Sequence, residues 1–358
     1  MNVKFNILMM ASLLLFGCAK SDVLGPESGN EQIGFETYIG RDAETKAASY
    51  GREALPATIG VYGFYFGADA WSTTATPNLW ANLQLKADEN WAVPEGDEKY
   101  WVNSQDNYTF LSYAPYTPYA TGATGNVLVA STGANPFVTY TVPTDLTKQI
   151  DLLYSNNNKV AHKPSTGTAV TLQHKHALSR LTVKASAEVD PYAYTFHVKE
   201  ISITGNFNTK GDFNLYNGAW SNLTNKSETY TFFTTGDAAT SGNALGATAV
   251  DYSGTKTVDG VTTYGNNYLM MIPVNFSTTN ATLTVKYTAL YGGVESAIKT
   301  VTHPISTNFE IGNAYAITIE FGYDSDNIIS FSCELEKGTN ADGTENTTGW
   351  NDKTVGIQ

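Results

Sequence analysis

The sequence predicts an all-β protein built as two antiparallel β-sandwiches in tandem, behind an export leader and a short tether. Three observations carry that expectation. Apolar and polar residues alternate with a period of two along most of the chain, and no stretch holds a convincing 3.6-residue period. The composition suits strands and turns: 22 Tyr, 16 Phe and 31 Gly accompany only 15% charged residues. A one-residue slip in the alternation near the middle of the chain marks a passage from one sheet system to another, and 358 residues is a length that two ordinary domains share.

The elements follow in order. Lys4 and the apolar run Ile7 to Phe16, interrupted by Ser12, have the form of a signal-peptide core. The run is too short to span a bilayer, which takes roughly 20 residues, and no later run is longer, so no transmembrane helix is expected. Within "LLLFGCAK" the sequence Leu15-Phe16-Gly17-Cys18 is similar to a bacterial lipobox, in which the thiol of Cys18 is acylated and becomes the new N-terminus. An ordinary secretory signal with an incidental cysteine, and a disulfide to Cys333, stand beside that reading. Each buried acyl CH₂ contributes about 0.8 kcal/mol, so multiple acylation would hold the chain firmly to a membrane. Ala19 to Gln32 is polar, contains Gly25, Pro26 and Gly29, and reads as a tether. At ~3.5 Å per extended residue it reaches roughly 50 Å.

Strands are expected next. "IGFETYI" places Ile33, Phe35, Thr37 and Ile39 on one face; "TIGVYGFYF" is an aromatic strand; "NYTFLSYAPY" divides Tyr108, Phe110 and Ser112 from Thr109, Leu111 and Tyr113. "FVTYTVP", "DLLYS", "VKEISITG", "NYLMMIPV", "ATLTVKYTALY" and "AYAITIEFGY" follow. In "AVTLQHKHALSRLTVKAS" the even positions Val170, Leu172, His174, His176 and Leu178 share a face, whereas Leu181, Val183 and Ala185 are odd. One strand in one sheet cannot easily reverse its buried face, so Ala177 to Arg180 is expected to be the crossing.

The formal charge of −13 disfavours nucleic acid, whose phosphates would be repelled. There is no P-loop, Gly-rich dinucleotide turn, HExxH, CxxC or G-x-S-x-G, so neither an enzyme nor a cofactor is expected. His174 and His176 have a spacing that can share a metal, but no Cys or carboxylate cluster stands near them in sequence, and a structural role at the junction of the sandwiches is expected. His197 reads as structural. Trp71, Trp80, Trp91 and Trp101 lie in a long insertion expected to pack on the first sandwich; exposed, they would offer stacking faces for sugars.

Taken in order, these pieces resemble the fimbrillin family, the type V pilus subunits of Bacteroidales. The matching stretches are the lipobox, the Ile33-x-Phe35 strand, "ETKA" at Glu44 to Ala47, "IGVYGFY", Tyr100-Trp101 with "YTFLSYAPY", "DLLYS", "VTLQHKHALSRLTV", "ISITGNFNTKGDFNL" with Trp220, "YLMMIPV", "FEIGNAYAITIEF" and "IISFSCEL". The resemblance implies transthyretin-like sandwiches and an assembly cycle. A lipidated precursor at the outer membrane is cut by a trypsin-like protease after the first strand, that strand leaves, and a donor strand from the next subunit fills the groove. The implied division is 1–17 leader, 18–46 tether and removable strand, 47–178 and 179–326 sandwiches, and 327–358 donor extension. Cleavage is expected between Lys46 and Ala47, where the family's usual Arg is replaced; Arg41 and Arg52 are alternatives. Donor side chains are expected at Ile329, Phe331, Cys333 and Leu335, and again at Val355 and Ile357, although "IISFSCEL" also reads as the last strand of its own sandwich. The implied partners are other fimbrial subunits, membrane lipid at Cys18 and the processing protease. A chain never cut would be an anchor, and one lacking a usable donor would be a tip.

Overall fold

The computed structural model describes residues 31–39, 55–119, 126–165, 167, 169–188, 194–235, 243–252, 256–258, 261–263, 268–276, 281–322 and 329–335. Among these the chain is strands, turns and two short 3-10 turns, as its β-branched and aromatic composition demands. The main strands are β1 (Gly34–Ile39), β2 (Thr58–Gly67), β3 (Trp80–Lys86), β4 (Asn107–Ala114), β5 (Leu128–Ala130), β6 (Phe137–Thr141), β7 (Leu153–Ala161), β8 (Ala169–His176), β9 (Ser179–Ala187), β10 (Thr195–Asn214), β11 (Ala219–Thr234), β12 (Leu269–Met271), β13 (Ala281–Tyr291), β14 (Lys299–Ile305), β15 (Ala314–Phe321) and β16 (Ile329–Leu335).

A six-stranded sheet has the order β1-β8-β7-β4-β2-β3. Alternation gives it two apolar faces. Ile59, Val61, Tyr108 and Phe110 belong to one core; Tyr62, Phe64, Leu111 and Tyr113 belong to another. The expected division of β4 between its odd and even residues is therefore observed. The first core is closed by Leu79, Trp80, Leu83, Leu85, Val93 and Trp101, so the segment expected as an insertion supplies both β3 and a cover for the sheet.

β8 stops at His176, and β9 opens a different sheet at Ser179. That second, five-stranded sheet orders a short 250–251 strand, β9, β15 and β16, with β12 also on β9. The third sheet has eight strands, including β13, β10, β6 and β5 in that order, with β11 on β10 and β14 on β13. Two pairings depart from the antiparallel expectation: β1 runs parallel to β8, and β15 parallel to β9. Each joins strands far apart in sequence, where no hairpin imposes a direction.

The 20-residue β10 was expected only as the short run "VKEISITG". Its first half pairs with β13 through Thr195–Gly205. Its last residues, Lys210 to Asn214, pair with β6. β11 follows it along most of its length, with shifts at Ile201/Ser202, Asn208/Lys210 and Lys210/Asp212. One continuous apolar core consequently runs from Tyr62 on β2 to Phe321 on β15.

Candidate functional site: the seat of the first strand

β1 lies at the rim of the six-stranded sheet and is held from both sides. Its residues Gly34 to Ile39 pair with Ala169 to His174 of β8. Just before it, the Ile33 amide donates to the Lys99 carbonyl at 2.8 Å and the Trp101 amide donates to the Glu31 carbonyl at 3.0 Å. Lys163 forms an ion pair with Glu31 at 2.9 Å. The alternation read from the sequence is the one observed: Ile33, Phe35, Thr37 and Ile39 are buried, and Glu36 faces solvent.

The seat has an aromatic part and a polar part. The Phe35 ring meets Trp80 edge-on at a centroid distance of 5.5 Å, and Phe110 at 5.7 Å. Trp101 closes on Phe110 and Tyr108 at 6.0 and 4.7 Å. Two residues further along, Thr37 Oγ1 donates to the Leu172 carbonyl at 3.1 Å and lies 2.9 Å from His174 Nδ1. The other ring nitrogen of His174, Nε2, lies 3.0 Å from Ser112 Oγ. His174 is fully buried, and burial holds its pKa down from 6.5 to about 3, so the ring is neutral. A neutral imidazole has one donor and one acceptor nitrogen, and the two hydroxyls satisfy both. The pair expected to act together at the junction thus separates. His174 serves the seat of β1, and His176 Nδ1 meets Asp151 Oδ2 at 2.7 Å. Among the described residues no three His, Cys, Asp or Glu side chains are grouped to hold a metal.

The tryptophans do not form an open stacking face. Trp80 and Trp101 are buried, Trp80 Nε1 donates to the Asp97 carbonyl at 2.7 Å, and Trp71 stacks on Tyr216 at 4.2 Å with rings 5° from parallel. His197 Nδ1 lies 3.6 Å from Glu295 Oε1.

The expected lipidation residue Cys18, cleavage residues Lys46 and Ala47, and distal donor residues Val355 and Ile357 lie outside the described residues. Ile329, Phe331, Cys333 and Leu335 stand in β16, which pairs antiparallel with β15 of its own chain, Phe321 opposite Ile329 and Ile317 opposite Cys333. β16 is the terminal strand of its sheet. Sequence reading did not find the Thr37–His174–Ser112 set. Its signal was present: Thr37 interrupts an otherwise apolar alternate face, and His174 continues the Val170 and Leu172 face.

The fimbrillin-like family matches residues 45–337 of the chain. A fimbrial protein from Bacteroides vulgatus is similar in structure, with a TM-score of 0.62 at 17% identity, covering 86% of this chain and 99% of that one. A cell adhesion protein from Bacteroides ovatus gives 0.47 at 17% identity, with 86% and 97% covered. The fimbrial anchor protein Mfa2 from Porphyromonas gingivalis gives 0.31 at 12% identity, with 88% and 99% covered. No curated protein matches the chain. The family match spans most of the sequence, and the structure of the Bacteroides vulgatus protein has the same fold: the chain belongs to the fimbrillin-like family.

Proposed function

We propose that the chain is a structural subunit of a cell-surface fimbria, and that β1 is a removable plug whose seat receives a donor strand from the neighbouring subunit. The observation that carries the reading is the placement of β1. It is a rim strand, joined to the rest of its sheet by one parallel ladder, yet it buries Ile33, Phe35 and Ile39. Burying three such side chains contributes roughly 1.5–3 kcal/mol each. Their sum approaches the ~5–15 kcal/mol stability of a whole domain. An emptied seat therefore strongly favours any strand of matching pattern, by edge pairing and side-chain insertion.

In this reading Cys18 carries lipid during export to the outer membrane, and a trypsin-like protease cuts after Lys46, with Arg41 and Arg52 as the other basic positions before β2. The C-terminal residues 327–358 supply the donor, and the partners are further fimbrial subunits. Lys46 in place of arginine favours a second reading, an uncut anchor that keeps its lipid at Cys18. N-terminal sequencing of the protein taken from cells separates them: a start at Ala47 supports the polymerising subunit, and acylated Cys18 supports the anchor. Limited trypsin digestion of the purified precursor should release β1 and yield SDS-resistant ladders. Cleavage between β1 and β2 with no higher-order species would overturn the polymerising reading.

A further inference from the structure

The two end strands of the described chain carry the same alternate residues. β1 and its preceding residue read Ile33, Phe35, Thr37, Ile39; β16 reads Ile329, Phe331, Cys333, Leu335. Position for position these are an isoleucine, a phenylalanine, a small residue with one polar hydrogen and a branched aliphatic. The seat of β1 distinguishes among ways of using that pattern, because it is not uniformly apolar. It takes a ring between Trp80 and Phe110, and a hydrogen-bonding group at His174.

We propose that β16 of a second copy of this chain occupies the vacated seat parallel to β8, in the register of β1. Phe331 then stands where Phe35 stood, and the Cys333 thiol meets His174 Nδ1. The inference rests on the donor-strand reading above and adds to it direction, register and the specificity-determining pair. An antiparallel β16 places Phe331 against the polar His174 seat and leaves Cys333 in the aromatic pocket, which a thiol cannot fill. A parallel shift of two residues towards β1's end also puts Phe331 on His174; the opposite shift again leaves Cys333 between Trp80 and Phe110. Only the parallel, unshifted strand satisfies both parts. A thiol is a weak donor and a weak acceptor, so it serves either tautomer of His174. The exchange replaces the seven-residue ladder of β16 on β15 with one on β8.

The test uses the cysteine already present. The chain has two cysteines, and Cys18 precedes β1, so the cleaved subunit retains Cys333 alone. Leu172 stands opposite Thr37, and Val170 opposite Phe35. Full-length Leu172→Cys and Val170→Cys proteins are cut with trypsin, allowed to assemble, oxidised with oxidised glutathione and run on non-reducing gels. Intermolecular disulfides to Cys333 are expected in Leu172→Cys and not in Val170→Cys. Cross-linking in Val170→Cys alone overturns the unshifted parallel register, because an antiparallel strand and a parallel strand shifted by two both place Cys333 there, and it leaves the donor reading standing. If neither variant cross-links, a chain lacking Ser325–Gln358 decides: continued polymerisation overturns the donor reading itself, and lost polymerisation overturns only the register. A second measurement needs no new cysteine. Cys333→Thr should assemble at least as fast as the natural chain, and Cys333→Val about tenfold more weakly, since a His174 nitrogen then stays buried without a partner. Equal assembly of the Thr and Val variants overturns the Cys333–His174 pairing.

Discussion

The neutral, buried His174 makes stability depend on pH in a way that one substitution isolates. The ring has an ordinary pKa of 6.5, and burial lowers it to about 3 in the folded chain. The folded value lies below the unfolded one, so the contribution of the neutral ring is complete above about pH 6.5. It is lost as pH falls from 6.5 towards 3, where the unfolded chain takes up a proton that the folded chain refuses. One unit corresponds to about 1.4 kcal/mol, so the natural chain loses about 2 kcal/mol from this group between pH 7.5 and pH 5. His174→Gln, which keeps a hydrogen-bonding side chain between Thr37 and Ser112, should not show that loss. The assay is urea unfolding of both proteins at pH 7.5 and pH 5 at constant ionic strength, compared as the change with pH and not as absolute stability. At pH 5 most carboxylates stay ionised, and the remaining histidines are common to both proteins. Equal changes with pH in the two proteins would refute the account of His174 as a neutral core group.

Other outcomes follow from the same seat and its sheet. Release of β1 should return the His174 pKa towards 6.5, because water reaches the ring; an NMR titration of the imidazole in cleaved, unassembled protein reads it, and an unchanged low value would mean that β1 had not left. Phe35→Ala removes the ring between Trp80 and Phe110 and should cost about 3–5 kcal/mol in urea unfolding of the uncut chain; a loss below 1 kcal/mol would contradict tight seating. Gly60→Ala should destabilise by about 1–3 kcal/mol, since the added methyl would meet Tyr113 Cε1 at 2.3 Å and Asn82 Oδ1 at 2.8 Å. Tyr113→Phe deletes the hydroxyl that donates to Asn82 Oδ1 at 2.7 Å; a melting temperature unchanged from the natural chain would be inconsistent with the cost of about 1–3 kcal/mol expected for a buried unpaired acceptor.

Where one face of a strand is buried and the other wet, the sequence pattern was readable. Ile33 to Ile39 show this. Tyr108 to Tyr113 are buried on both faces, and there the alternation sorts side chains between two cores. The phase reversal between Leu178 and Leu181 falls where β8 gives way to β9. The long β10–β11 hairpin was not readable in the same way. Asn206, Asn208, Thr209 and Lys210 in β10, and Ser221 to Ser227 in β11, give no apolar alternation, because this part of the ladder faces solvent and is held by its backbone bonds. β1 was legible as a buried strand but not as a parallel rim strand, since direction is set by a partner 135 residues away in sequence. The polar seat was hidden for a similar reason. Thr37, Ser112 and His174 are ordinary residues on three separate strands, and only the strand order β1-β8-β7-β4 brings them within hydrogen-bonding distance.

The passage of β10 through both halves of the molecule has a mechanical consequence. Load passing between β13 and β6 has a backbone route along one strand that needs no flexible hinge. β10 acts as a tie bar, bonded to β13 along its first half and to β6 at its far end. Pulled lengthwise, those bonds resist together in shear instead of opening one after another like a zip. The same tie means that neither half can be cut out cleanly: a fragment ending near residue 178 would leave β6 paired with β5 alone, its β10 edge open, and Tyr140 without the Phe213–Trp220 side of its core.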